Sequence, residues 1–482
     1  MKRDFNRAQL PGASAWNLLD LIPDELGAPL RGRGGWALGD SGAMTSVTSI
    51  KGLVYAPFTA GAKSYAIGQN SELWRFDSGP TDVGAAIIPA QNPIYYRGKI
   101  IIPNNDGTTA PKYYDGTTLG NLAGTAPNGM FAGSFADHAY LARDSTNIGR
   151  IWFSAAGDPT SWNTSSGYVD ADGGALTAVV PLKTMILAFH ADSMDRFRGS
   201  IPPPGTDFVQ DKGFFSFGCL DAFSVARWND RVIFANAKGI FMTDGAGWQD
   251  LTARAGMSTY WQTTLASYTT SWRLGAGVYR NHYILSVNNG TSVVDAFCIN
   301  LNTGAFLRFS NFHGNTFLPV ATGGVEELYM GLANGGRVGK VSTCWNPSAT
   351  VKKDGDATTI TPTWETSMHM GYDRLHRRWI SSYGMQRWRY LYYAMQLTDY
   401  ASDAPTVTLS YTTDPTPTGA YTAISRTVAA TSKFKGEGRR AITTGNLSPW
   451  IGFKVAQTGP GDLQIHELAL AYEALERGAL PQ

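Results

Sequence analysis

Two stretches of this 482-residue chain set an aspartate in a tight turn ahead of a tryptophan: SAAGDPTSW (154–162) and TDGAGW (243–248). The pattern resembles the Asp box of some glycosidases, roughly Ser-x-Asp-x-Gly-x-Thr-Trp. In the first stretch the spacing is wrong, and in the second the Ser and Thr are missing. Asp158 and Asp244 are therefore expected to shape turns, as Asp and Gly do in any tight loop. Asp170 and Asp172 in VDADGG, and Asp354 and Asp356 in KKDGDA, look like fragments of calcium loops. A complete loop needs more oxygen ligands and a bidentate Glu near its end. Both fragments read as solvated Asx-type turns.

Other chemistry has little to stand on. The 7 histidines are scattered, with no HxxxH or HxH pair for zinc. No GxxxxGK[ST] or GxSxG occurs. Cys219, Cys298 and Cys344 lie far apart and form neither a CxxC pair nor an even-numbered framework, so no disulfide is expected. We expect no enzyme activity, no cofactor and no metal site.

One cluster does stand out. DRLHRRWISSYGMQRWRY (373–390) holds five Arg and one His against a single acid, Asp373, with two Trp interleaved. Such a run can grip phosphates and bases. It can also be an exposed face whose Arg stems cover apolar surface, or a subunit interface, where Arg, Trp, Tyr and Met are enriched. The other strands read in the C-terminal region, TVTLSYTT, WIGFKVAQ and DLQIHELALAYEAL, hold one basic residue, Lys454, so no continuous positive track is expected for nucleic acid. Arg374, Arg377, Arg378, Trp379, Arg387, Trp388 and Arg389 are therefore expected at an interface between subunits or with an adaptor.

The elements that must position these residues repeat. Short apolar strands GLVYAPF, GKIIIPN, HAYLAR, TMILAF, RVIFA, HYILSV and ELYMGL have centres spaced 39–51 residues apart. Each is followed by a second strand: ELWRFD, PKYYDG, RIWFSA, DRFRGS, GIFMTD, VVDAFCIN and GRVGKV. Turn signals such as NNDG, TDGAG, NNGT and ANGG separate them. A period of roughly 40–50 residues with several strands per unit is the mark of a β-propeller. A pair of β-sandwiches gives turn signals every 8–12 residues or so, without the longer period. The chain reads as all-β: a β-propeller of about seven blades, then a C-terminal β-sandwich-like region. Residues 1–40 read as an extended arm or closing strand, 41–348 as the propeller and 349–482 as the sandwich. The last opens on a polar linker, ATVKKDGDATT, and continues with period-2 strands. TVTLSYTT alternates Val407, Leu409 and Tyr411; WIGFKVAQ alternates Ile451, Phe453 and Val455. DLQIHELALAYEAL shifts phase after Ile465, as a bulged strand would. Helical periodicity is lacking almost everywhere.

Composition agrees. Hydrophobic residues make up 43% of the chain and charged residues only 16%, against roughly 25% charge in average domains. With 54 Gly and 12% aromatics, the mix suits short strands and tight turns. Net charge is +2, too balanced for a whole-chain nucleic-acid binder. MKRDFNRAQLPG lacks the apolar core of about 7–15 residues found in secretory leaders. No apolar run approaches the ~18 residues of a membrane span.

Three consecutive segments carry a resemblance: RIWFSAAGDPTSWNT, GGALTAVVPLKTMILAFHADSMDRFRGS and DKGFFSFGCLDAFSVARWNDRVIFANAKGIFMTDGAGWQDL. In the order of their elements they resemble the tail-nozzle and packaged-DNA-stabilisation proteins of short-tailed bacteriophages. The resemblance covers roughly residues 40–345, and WETSMHMGYDRLHRRWISSYGMQ is similar to the point where that family enters a further β region. It implies a homo-oligomeric ring of six copies at the distal end of the portal–adaptor–tail axis. That ring would close the DNA exit channel and retain packaged double-stranded DNA until ejection. The implied partners are the head–tail adaptor, tail fibre or spike proteins and the DNA. The implied place is the virion tail, after synthesis in the host cytoplasm. The family offers no catalytic residue and no cofactor to carry over. Near-neutral charge suits such a channel, because a strongly basic lumen would hold DNA by counterion release. Two alternatives remain: a host-surface glycan-binding tail component or propeller-type depolymerase, and a protein-binding propeller scaffold.

Overall fold

The computed structural model describes residues 42–345 apart from 123–124, 206, 256, 266–267, 270 and 290–292. Outside that span it describes 15–19, 21–23, 30–33, 35–40, 354, 360, 362–366, 372–373, 378–379, 386–398, 406–412, 422–429, 433–441, 447–448, 451–458 and 462–474. The chain divides into two compact units. One is Ala37–Gly304 with Phe312–Ser342; the other is Met1–Trp36, Ala305–Asn311 and Thr343–Gln482.

The first unit is a seven-bladed β-propeller. Its blades begin with inner strands Ile50–Phe58, Ile94–Tyr96, Phe131–Phe135, Ala178–Pro181, Ala226–Trp228, Arg273–Tyr279 and Gly314–Thr322. Each inner strand pairs antiparallel with a second strand and that with a third, as in Ala226–Trp228, Arg231–Ala235 and Ile240–Thr243. The seventh blade takes its fourth strand from the other end of the sequence. Ala37–Leu38 pairs with Val338–Lys340, Gly339 opposite Leu38. Joining the two ends in one blade removes the free edges that an open ring would leave.

The apolar triplets mark the middle of each blade. Ile100, Ile101 and Ile102 are all fully buried, as are Val232, Ile233, Phe234 and Ala235. A strand covered on both faces by neighbouring blades has no solvent face, so its sequence runs apolar without alternation. Core clusters accordingly lie between blades. Phe131, Tyr140 and Phe153 of the third blade pack with Val179, Ile186 and Phe197 of the fourth. Buried hydroxyls also cross these seams: Tyr140 donates to the Val179 carbonyl at 3.0 Å and Tyr283 to that of Ser224 at 2.7 Å.

The structure gives the apolar triplets their place within the blades. Only GLVYAPF, in the first blade, is an inner strand; the other six apolar triplets are second strands. Inner strands escape the pattern because they are short or Gly-rich where they crowd the axis. In RLGAGVY, a β-carbon on Gly275 would come within 2.7 Å of the Asn315 backbone. The turns into the second strands are also disguised. Arg97–Gly98, Ala136–Asp137 and Arg280–Asn281 all hold positive φ at both positions of two-residue hairpins, yet Arg and Ala are poor signals for such turns. Two short helices, Leu251–Arg254 and Ser258–Thr264, follow the fifth blade where no helix was expected. Asp250 caps the first, and Trp261 of the second is fully buried.

Among the described residues the second unit holds two large, largely antiparallel sheets and a small two-stranded one, Tyr372–Asp373 with Arg378–Trp379. One orders Ala15–Leu19, Thr363–Thr366, Gly452–Thr458, Thr406–Thr412 and Thr422–Ala429, with Phe306–Arg308 parallel to the first of these. Leu409 faces Val455 and Tyr411 faces Phe453 across it, and all four are buried. The other orders Leu21–Pro23, Leu30–Gly32, Asp462–Ala474, Gln386–Thr398 and Lys433–Ala441. The phase shift read after Ile465 is a bulge at His466: Glu467 pairs with Ala394 and Ile465 with Met395.

One expectation for this unit is overturned. Asp354, read as a solvated turn within a polar linker, is buried and ion-paired with Arg33 at 2.7 Å. Burial is repaid because four donors converge on one carboxylate: two from Arg33, the Trp36 N–H and the Asn311 amide.

Candidate functional site

The residues that lead into the inner strands converge at one end of the propeller axis. Ser49 and Lys51 open the first blade, Phe131 the third and Arg273 the sixth. Thr177, Asp221 and Asn315 come from the fourth, fifth and seventh. With Arg143, Tyr268 and Trp272 among others, they line a cavity of about 320 Å³.

Electrostatics distinguishes this cavity. Lys51, Arg143 and Arg273 line it against one carboxylate, Asp221. That carboxylate is occupied: one oxygen accepts the Phe223 N–H at 2.9 Å and the other the Leu274 N–H at 3.0 Å. It thereby caps the 3₁₀ turn Ala222–Ser224 and ties it to the sixth blade's inner strand. Arg273 stacks its guanidinium 3.8 Å from the centre of the Phe223 ring. Arg143 donates to the Leu176 carbonyl at 2.5 Å. Lys51 makes no hydrogen bond or ion pair with any described residue. Burial pulls its ammonium below the ordinary lysine range, and the neighbouring Arg273 pulls the same way. Burial likewise lowers Arg273 and Arg143, but a guanidinium stays charged at any physiological pH. The cavity thus offers fixed cations and hydroxyls that can donate to an anion.

The residues singled out from sequence lie elsewhere. Arg378 and Trp379 form a two-residue strand opposite Asp373 and Tyr372. Arg387, Trp388 and Arg389 lie in the strand Gln386–Thr398, where Arg387 pairs with Glu473 and Trp388 with Tyr472. The register slips between Trp388 and Tyr390, so simple alternation does not hold through Arg389. Arg374 and Arg377 fall outside the described residues.

The aspartates are committed to local structure. Asp158 accepts from the N–H and hydroxyl of Thr160, and Asp244 from the N–H groups of Ala246 and Gly247. These bonds hold both carboxylates below their usual range. Asp170 makes a bidentate pair with Arg150, and Asp172 pairs with Lys212; both carboxylates stay exposed, in keeping with the solvated reading. Asp356 lies outside the described residues. The three cysteines are buried thiols that form no disulfide, and burial pushes the Cys219 thiol up to about 12. Among the described residues no group of three His, Cys, Asp or Glu is placed to hold a metal ion, and no helix is long and apolar enough to cross a membrane.

Sequence reasoning missed Lys51, Arg143 and Arg273. Each is an isolated basic residue in its own stretch, and only ring closure brings them together. The available signal was positional and covered two of them: Lys51 and Arg273 stand at the leading end of an inner strand, whereas Arg143 follows the second strand of the third blade.

No protein-family model matches the sequence, and no curated protein matches it. Solved propellers match with low identity. BamB from Moraxella catarrhalis is 13% identical, covering 67% of this chain and 93% of its own, with a TM-score of 0.38. The Pan2 WD40 domain of Neurospora crassa is 8% identical over 64% of this chain and 94% of its own, TM-score 0.39. The WD40 propeller domain of Doa1 is 10% identical over 64% and 96%, TM-score 0.38.

Proposed function

We propose that this chain is a β-propeller scaffold that works by binding rather than by catalysis. In the finer reading it is the ring-forming nozzle subunit of a short-tailed phage virion, which holds packaged DNA until ejection. The observation that carries the scaffold reading is the fate of the aspartates. Asp158 and Asp244, the carboxylates with the nearest approach to a catalytic motif, spend their acceptors on their own turns. The finer reading is supported by the segments quoted above, which run through the third, fourth and fifth blades. A cavity of about 320 Å³ on the propeller axis takes a small molecule, not a duplex. In a nozzle the DNA would pass between subunits, around the symmetry axis of the ring.

Light scattering on the purified chain, alone and with the virion's adaptor, tests this. A discrete ring of six copies is the expected result, lost on replacing Arg377 and Arg378 with Ala. A persistent monomer that binds bacterial glycans would instead favour the surface-binding alternative. One observation speaks for that alternative: Trp248 is 53% exposed and stands edge-on to Phe217 and Phe241, as a sugar platform would.

A further inference from the structure

From the convergence of Lys51, Arg143 and Arg273 on one cavity we infer that the propeller's axial mouth is a binding site for a phosphate group, borne by a small molecule or free as inorganic phosphate. The cations arrive from three different blades, so they surround the opening rather than forming a stripe along one strand. Their only carboxylate neighbour in the lining, Asp221, has one oxygen bound by the Phe223 N–H and the other by the Leu274 N–H. Asp221 answers only one of the three positive charges, and surplus positive charge in a partly dehydrated recess is costly. Stacking on Phe223 holds the Arg273 fork in place before any ligand arrives, and a preorganised fork matches a phosphate in two-point geometry. Lys51, with no partner among the described residues, is free to reach the same anion as a point charge.

Size and lining narrow the class. The volume of about 320 Å³ sits at the lower end of small-molecule sites, which run from roughly 300 to 1,000 Å³. Phe131, Trp272 and Leu220 supply apolar surface beside the cations, which suits a small organic group attached to the phosphate. With Asp221 the three cations leave a formal surplus of two positive charges; a monovalent anion answers one of them and a phosphate dianion both. The inference does not depend on ring assembly or on the virion reading, since every lining residue belongs to the propeller.

The test is calorimetric titration of the purified full chain at fixed ionic strength. One arm uses inorganic phosphate, a second adenosine monophosphate, and sodium chloride serves as the control. Saturable binding in the phosphate arm is expected, with displacement by the nucleotide. Lys51→Met, which removes no hydrogen bond or ion pair with a described residue, should weaken it about tenfold or more, the usual worth of a charge-assisted contact. Lys238→Met, at an exposed lysine outside the lining, should bind as the parent does. Tighter binding of the nucleotide would place an organic group in the apolar part of the cavity; equal binding would assign the free anion. No saturable heat with either probe, or equal affinity in Lys51→Met and the parent, overturns the inference.

Discussion

Arg33 and Asp354, 321 positions apart in the chain, meet as a buried bidentate pair, Nη1–Oδ1 at 2.7 Å and Nη2–Oδ2 at 2.9 Å. Arg33 also donates to the Ser310 carbonyl at 2.7 Å, so one guanidinium joins three separate segments of the second unit. Burial pushes the Asp354 carboxyl up and Arg33 pulls it back down.

Removing one partner should therefore hurt far more than removing both. Arg33→Met leaves a buried carboxylate with only the Trp36 and Asn311 donors, at a cost of about 3–5 kcal/mol. Adding Asp354→Leu should recover most of that loss. Urea unfolding of the two single variants and the double variant measures the coupling. Equal midpoints for Arg33→Met and the parent would show that the pair is not buried.

His282 should give the propeller a pH dependence. Burial pushes its imidazolium down to about 4, against about 6.5 in an unfolded chain. Between these values the unfolded state binds the proton and the folded state does not. Stability is therefore full above about pH 6.5 and falls as pH drops toward 4, by up to about 3 kcal/mol, levelling off below. His282→Gln should flatten that slope. Denaturation midpoints collected from pH 7 to 4 decide it, and parallel curves for both proteins would refute the assignment.

The blade seams carry hydroxyls whose loss should be measurable. Tyr140→Phe keeps the ring but strands the buried Val179 carbonyl, which should cost about 1–3 kcal/mol. Because the ring packs between the third and fourth blades, thermal unfolding should shift without change in oligomeric state.

Asp158 and Asp244 should behave as turn residues. Each accepts from donors within three residues, so Asp→Ala should cost about 1 kcal/mol or less. Neither variant should change the rate of any polysaccharide cleavage measured beside the parent protein. Turnover by the parent that vanishes in either variant would reinstate a glycosidase.

Period and burial were legible without coordinates. A strand covered on both faces must be apolar throughout, so KIII, RVIFA and HYILSV declare themselves by local composition and recur at the spacing of blades. Alternation in TVTLSYTT and the phase slip after Ile465 are equally local, because pleat and bulge are properties of one strand. The inner strands were hidden: axial crowding selects Gly, and neighbours impose positive φ on Arg97, Ala136 and Arg280 despite their poor turn chemistry. The solvated reading of Asp354 failed because its burial depends on Arg33, 321 positions away. The cationic mouth is tertiary for the same reason. Lys51, Arg143 and Arg273 are unremarkable singly, and become a site only when Ala37–Leu38 closes the seventh blade and the ring gathers the leading ends of its inner strands around one axis.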